Sequence, residues 1–161
     1  MAAREAPAAK SLAGKARETR PTRQLALESE WGRVCFALAA DGTVTVAEEL
    51  EHRKTAVCRW AATGERVARV LLRVSVTDLA LAGTRVVLAV DDGGLSTLDE
   101  TLVETKRARA HRERTVTVRS SRDGDFVVST SEKGLAVFDT AALKRLASVA
   151  VKDSTTSAPT A

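Results

Sequence analysis

Between residues 33 and 151 the chain alternates apolar and polar positions in short runs of about four to seven residues, each closed by turn residues. Examples are Arg33 to Ala39, Thr43 to Ala47, Thr55 to Trp60, Val67 to Leu72, Val86 to Val90, Val116 to Arg119, Phe126 to Thr130 and Leu135 to Phe138. Val and Thr dominate these runs, as a pleated and half-buried surface prefers. Strand length suits them, and helix length does not. Asp41-Gly42, Asp123-Gly124 and the Asp92-Gly93-Gly94 cluster supply turn chemistry between them, because Gly enters the positive-φ conformations that tight hairpins need. The pattern predicts an all-β chain, with a longer loop near Glu48 to Lys54.

The runs repeat. Gly42, Gly83 and Gly124 are spaced by 41 residues, and Gly94 and Gly134 by 40, as are Asp99 and Asp139. Trp60, Leu98 and Phe138 follow at spacings of 38 and 40. Three units superpose strand for strand on this frame. A period near 40 with four strands per unit is the pattern of propeller blades. The expected fold is therefore β-propeller-like: three four-stranded antiparallel blades over residues 24–152, forming an incomplete ring. Basic and Ser/Thr/Ala tails flank it over 1–23 and 153–161.

Three blades are fewer than the four to eight that close a propeller. An open stack leaves sheet faces of Val and Leu uncovered. Three explanations are open at this stage. The chain is a fragment or shortened product; or it completes a ring with a copy of itself, as a homodimer, or with another chain, as a heteromer; or a segment near Arg20 to Leu27 adds a strand.

Charge adds one point. The net charge is +4, and residues 1–23 alone carry it, with six basic and two acidic side chains. The folded part is neutral, which argues against a specific nucleic-acid-binding domain. No apolar run reaches membrane-spanning length, and the N-terminus has no signal-peptide stretch. Cys35 and Cys58 lie in strand-like surroundings and read as small core residues of a reducing compartment, although a disulfide is open to them on neighbouring strands. A cytoplasmic location is expected.

Candidate chemistry is sparse. The glycines lack the Lys-Ser/Thr and the helix of a phosphate loop. His111 reads as a capping histidine in a blade connection, and Asp91 and Asp92 as turn carboxylates. Catalysis in a propeller channel would require His, Glu or Asp at equivalent inner-strand positions, where this chain is expected to place Val, Ala and Leu. No catalytic residue, metal or cofactor is expected. The densest charge cluster is Lys106, Arg107, Arg109, His111, Arg112 and Arg114. It reads as an outer strand guarded against edge pairing, or as a docking patch for an acidic partner or anionic membrane surface. Protein-binding candidates are the loop residues Arg73, Asp91, Asp92, Arg112, Arg114, Glu132 and Lys133.

The units resemble the WD-repeat family. Ala110-His111 opens the third unit and Phe138-Asp139 ends it, with Asp123-Gly124 and Gly134 between; the second ends in Leu98-Asp99 and the first in Trp60-Ala61-Ala62-Thr63-Gly64. The resemblance covers about residues 31–151. It implies a non-enzymatic scaffold that presents inter-blade loops to a protein partner, with a polar network inside each blade. No unit carries both the histidine and a terminal Trp-Asp, so apolar packing is expected to hold these blades. Residues 124–149 look like late blades of the prolactin regulatory element-binding protein type, which implies a shortened relative of the exchange factors for the COPII GTPase in vesicle transport, on the cytosolic face of the endoplasmic reticulum. The membrane anchor and the GTPase-contacting loop of that type are missing from this sequence, which puts exchange activity in doubt.

Overall fold

The computed structural model describes residues 27, 32–51 and 53–151. The two tails, Trp31 and His52 lie outside them. So does the segment offered as an extra strand, apart from Leu27, which is in no strand.

Twelve strands form three antiparallel sheets. The first holds β1 (Val34–Leu38), β2 (Val44–Leu50), β3 (Lys54–Trp60) and β4 (Arg66–Leu72). The second holds β5 (Val76–Ala82), β6 (Arg85–Val90), β7 (Gly94–Leu98) and β8 (Glu104–Arg109). The third holds β9 (Thr115–Ser120), β10 (Phe126–Ser131), β11 (Gly134–Asp139) and β12 (Lys144–Ala150). Spatial order follows chain order in every sheet. The first strands stand side by side, β1 next to β5 and β5 next to β9, so they form the inner edge of the stack. The last strands, β4, β8 and β12, form the outer edge and are mostly exposed. The three blades are present as the repeat predicts, and they do not close into a ring.

One boundary differs from the sequence reading. Glu48 to Leu50 belong to β2 and Lys54 to β3, paired from Glu48↔Ala56 to Leu50↔Lys54. The expected loop shrinks to the short connection between Leu50 and Lys54. Acidic side chains hid the strand, but Glu48 and Glu49 are tolerated because their backbones still complete the ladder.

Side-chain alternation assigns each sheet two faces. In the middle sheet, Leu79, Val86, Leu88 and Leu98 point toward the first sheet and pack on Ala47, Val57, Ala68 and Val70. Ala80, Val87, Ala89 and Leu95 point the other way and receive Val118, Val127, Phe138 and Leu143 of the third sheet. Both seams have the same polarity: the later blade supplies large side chains and the earlier blade supplies a face rich in Ala. Leu98 and Phe138, equivalent in the repeat, are 0% and 1% exposed. Each such side chain contributes about 1.5–3 kcal/mol by burial.

The outer turns are built alike in the second and third blades. Asp99 Oδ1 accepts from Thr101 N, Thr101 Oγ1 and Val103 N at 2.7–2.9 Å. Asp139 Oδ1 accepts from Ala142 N at 2.6 Å. Each turn then presents a leucine at positive φ, Leu102 at 66° and Leu143 at 52°. Both leucines are buried in the seams.

Candidate interaction surface

Strand direction sorts the connections between two ends of the stack. The β2–β3 connection and turns 91–93 and 132–133 share one end with the inter-blade connections 73–75 and 110–114. All seven loop residues picked from the sequence fall there: Arg73, Asp91, Asp92, Arg112, Arg114, Glu132 and Lys133.

Hydrogen bonds join these connections into one rim. Gly93 O accepts from both Ala110 N and His111 N at 2.9 Å. Arg53 pairs with Asp91 at 2.9 Å, and Arg107 with Asp92 at 2.5 Å. Asp92 Oδ1 also accepts from Gly94 N at 2.8 Å. Asp91 and Asp92 therefore fasten the rim from within, as turn carboxylates do. Ser131 Oγ donates to Glu113 at 2.7 Å and Ser75 Oγ to Glu49 at 2.8 Å. Arg73, Arg112, Arg114, Glu132 and Lys133 are exposed, and their side chains make no ion pair among the described residues.

The basic cluster divides. Lys106 Nζ donates to Ala141 O at 2.7 Å, binding the second blade to the third. Arg109 holds the following connection through His111 O and Arg112 O, both at 2.7 Å. Arg145 reaches Ala110 O from the third blade and lies over the Phe138 ring, 5.6 Å from its centroid. Only Arg112 and Arg114 of the cluster project free at the rim.

His111 Nε2 stands 2.9 Å from Ser129 Oγ. Burial holds its pKa below 6.5, with the Arg145 charge adding to the effect and Glu113 opposing it. The neutral ring thus links the connection to β10. The sequence places these residues 18 apart, and only the fold shows the pair.

The inner edge corrects a second expectation. It is not uniformly Val, Ala and Leu. Thr77 Oγ1 donates to Thr115 O at 2.7 Å, and Asp78 Oδ2 accepts from Val118 N at 3.0 Å and from Arg119. Ser120 donates to Leu81 O. These groups satisfy one another across the seam, so they read as blade-to-blade links. A single carboxylate inside the run VTDLALA was the available signal.

Neither Cys35 nor Cys58 is in a disulfide. Cys35 pairs with Ala47, while Cys58 pairs with Val46. Ala47 and Val46 are consecutive, so the thiols sit on opposite faces of one sheet and cannot bridge. Burial, with the Asp78 charge, pushes the Cys35 thiol up to about 12.

Among the described residues no group of three or more His, Cys, Asp or Glu gathers to hold a metal, and no helix is long and apolar enough to cross a membrane. No family model and no curated protein matches the chain. Among solved structures, hydrazine synthase of Kuenenia stuttgartiensis is similar at a TM-score of 0.64 and 19% identity. The match covers 74% of this chain and 36% of that one, so this chain spans about a third of its length. At that identity the likeness shows the fold alone. The protein is an all-β, propeller-like stack of three blades.

Proposed function

We propose that the chain is a non-enzymatic interaction module that docks a protein partner on the rim carrying Arg73, Arg112, Arg114, Glu132 and Lys133. One observation carries this reading: exposed charged side chains from three separate connections share one end of a rigidly linked stack. Four of the five are cationic, which favours an acidic segment. The hydrogen-bonded rim beneath them lowers the ordering cost of binding. The resemblance to WD repeats points the same way.

The test is titration of a fluorescent Glu/Asp-rich peptide into the purified chain, followed by anisotropy. Binding should weaken about tenfold or more when Arg112 and Arg114 are both changed to Glu, with an unchanged circular dichroism spectrum. Absence of binding, or binding indifferent to the reversal, refutes the reading. Preference for anionic vesicles over the peptide reassigns the rim to a membrane surface.

A further inference from the structure

We propose that β12, the outer strand of the third blade, is a pairing edge on which two copies of this chain join, antiparallel and two-fold, into one continuous sheet. The proposal rests on β12 and is independent of the rim reading.

Three strands form the outer edge, and they are not guarded alike. Each skips one residue in its pairing with the inner neighbour, Val67 in β4, Thr105 in β8 and Leu146 in β12, and pairs regularly after it. Over the regular stretch β4 carries Arg69, and β8 carries Lys106, Arg107 and Arg109. Charged side chains on an outer strand discourage pairing with another chain. β12 has no charged residue, Pro or Gly from Leu146 to Val151. Its residues from Lys144 to Ala150 are all exposed. Val149 is 59% exposed and Val151 61%. An uncharged, exposed edge of this kind is a template for a further strand.

The backbone of this stretch has a fixed direction. Val151 N donates to Lys133 O at 2.8 Å, so its N–H points toward β11. Peptide direction alternates along a strand, so Val149 and Ala147 also bond toward β11. Ser148 and Ala150 therefore turn their N–H and C=O away from the sheet, where no other strand lies among the described residues.

A second copy fits because the edge is its own complement. Set two-fold about Val149, Ser148 of each copy lies opposite Ala150 of the other, and each pair exchanges both hydrogen bonds. Val149 then faces Val149 of the second copy in a non-hydrogen-bonded pair, where side chains come closest. Ala147 lies opposite Val151 on the same side. Leu135, the register partner of Val149 on β11, extends this apolar strip in each copy. No like charges meet between residues 147 and 151 in this register. The contact is isologous: it occupies both β12 edges and closes at two copies.

The experiment is light scattering on a sizing column across a dilution series, with the full chain and the variants Ser148→Pro and Val149→Lys. The unaltered chain should reach about 34 kDa, twice its 17.1 kDa. Ser148→Pro removes an outward N–H and leaves the ladder to β11 intact, as an edge proline can. Val149→Lys sets like charges opposite each other. Each should weaken association about tenfold or more, with an unchanged circular dichroism spectrum. If Ser148→Pro unfolds, Ala150→Pro tests the same bonds. Val103→Asp, at an exposed apolar residue away from β12, should leave the dimer as it is. Under mild oxidation Val149→Cys should trap the dimer as a disulfide, and Leu146→Cys should not. A chain monomeric at every concentration overturns the proposal. So does a dimer that survives both β12 substitutions, or one that Val103→Asp dissolves. Trapping at position 146 in place of 149 overturns the register, and assemblies larger than two overturn the two-fold closure.

Discussion

Gly124 stands against Gly83, its equivalent one repeat earlier: a Cβ on Gly124 would come within 2.6 Å of Gly83 N and 2.9 Å of Ala82 C. The turn of one blade thus seats on the turn of the previous one, backbone to backbone. The contact accounts for the glycine at 124 alone; what Gly42, Gly83 and Gly124 share is a positive φ, 83°, 63° and 80°.

The pair yields an unequal prediction. Both glycines have positive φ, 80° at Gly124 and 63° at Gly83. A Cβ on Gly83 would meet nothing within 4 Å. Gly83→Ala should therefore cost only the left-handed strain, about 1–2 kcal/mol. Gly124→Ala adds a clash with backbone that cannot step aside, and should cost clearly more. Urea midpoints of the two variants check this, and equal losses would contradict it.

Leu102 gives an inverted order of substitution. Its side chain is 1% exposed while its φ is 66°. Leu102→Ala should lose about 2–5 kcal/mol of core packing and keep the strain. Leu102→Gly loses one methyl more and releases the strain. The glycine variant should be at least as stable as the alanine variant, against the usual ranking. Thermal melts of both decide it.

Asp78 and Arg119 form an ion pair with unequal ends. Arg119 is 69% exposed, whereas Asp78 is 17% exposed and also accepts from Val118 N. Arg119→Ala should cost less than about 1 kcal/mol. Asp78→Ala strands a buried backbone donor and should cost about 1–3 kcal/mol. Chemical denaturation of both variants separates the two effects, and equal costs would show that the charge pair itself matters most.

His111 should make the fold acid-sensitive from mildly acidic pH. Its pKa in the folded chain is depressed below 6.5, chiefly by burial. The unfolded chain then binds the proton more readily, so this stability is present above about 6.5 and is lost as pH falls through the folded value. The carboxylates held low, Asp41, Asp99, Asp123 and Glu113, act at lower pH, since their ordinary values are 3.8 and 4.5. Denaturant midpoints between pH 8 and 5 should fall in the unaltered chain and flatten in His111→Gln. Parallel slopes in the two would remove His111 from the account.

Much of the architecture was readable along the chain. A strand announces itself by alternation and a hairpin by Asp-Gly, and both signals are local, so the three units could be aligned before any contact was known. Turn carboxylates such as Asp91 and Asp92 were legible for the same reason. The β2–β3 hairpin was misjudged because the acidic side chains of Glu48 and Glu49 masked backbone pairing, which does not depend on side-chain type.

The sequence alone therefore determined the repeat, the strands within it and the loops that face one end, because those features depend on residues near one another in the chain. The tertiary structure decided the rest. It set His111 against Ser129 and Asp78 against Arg119, pairs 18 and 41 residues apart. It placed Cys35 and Cys58 on opposite faces. It divided the basic cluster between blade-to-blade links and a free rim. These outcomes depend on register and on which sheet lies against which, and both are settled only when distant segments compete to bury the same surface.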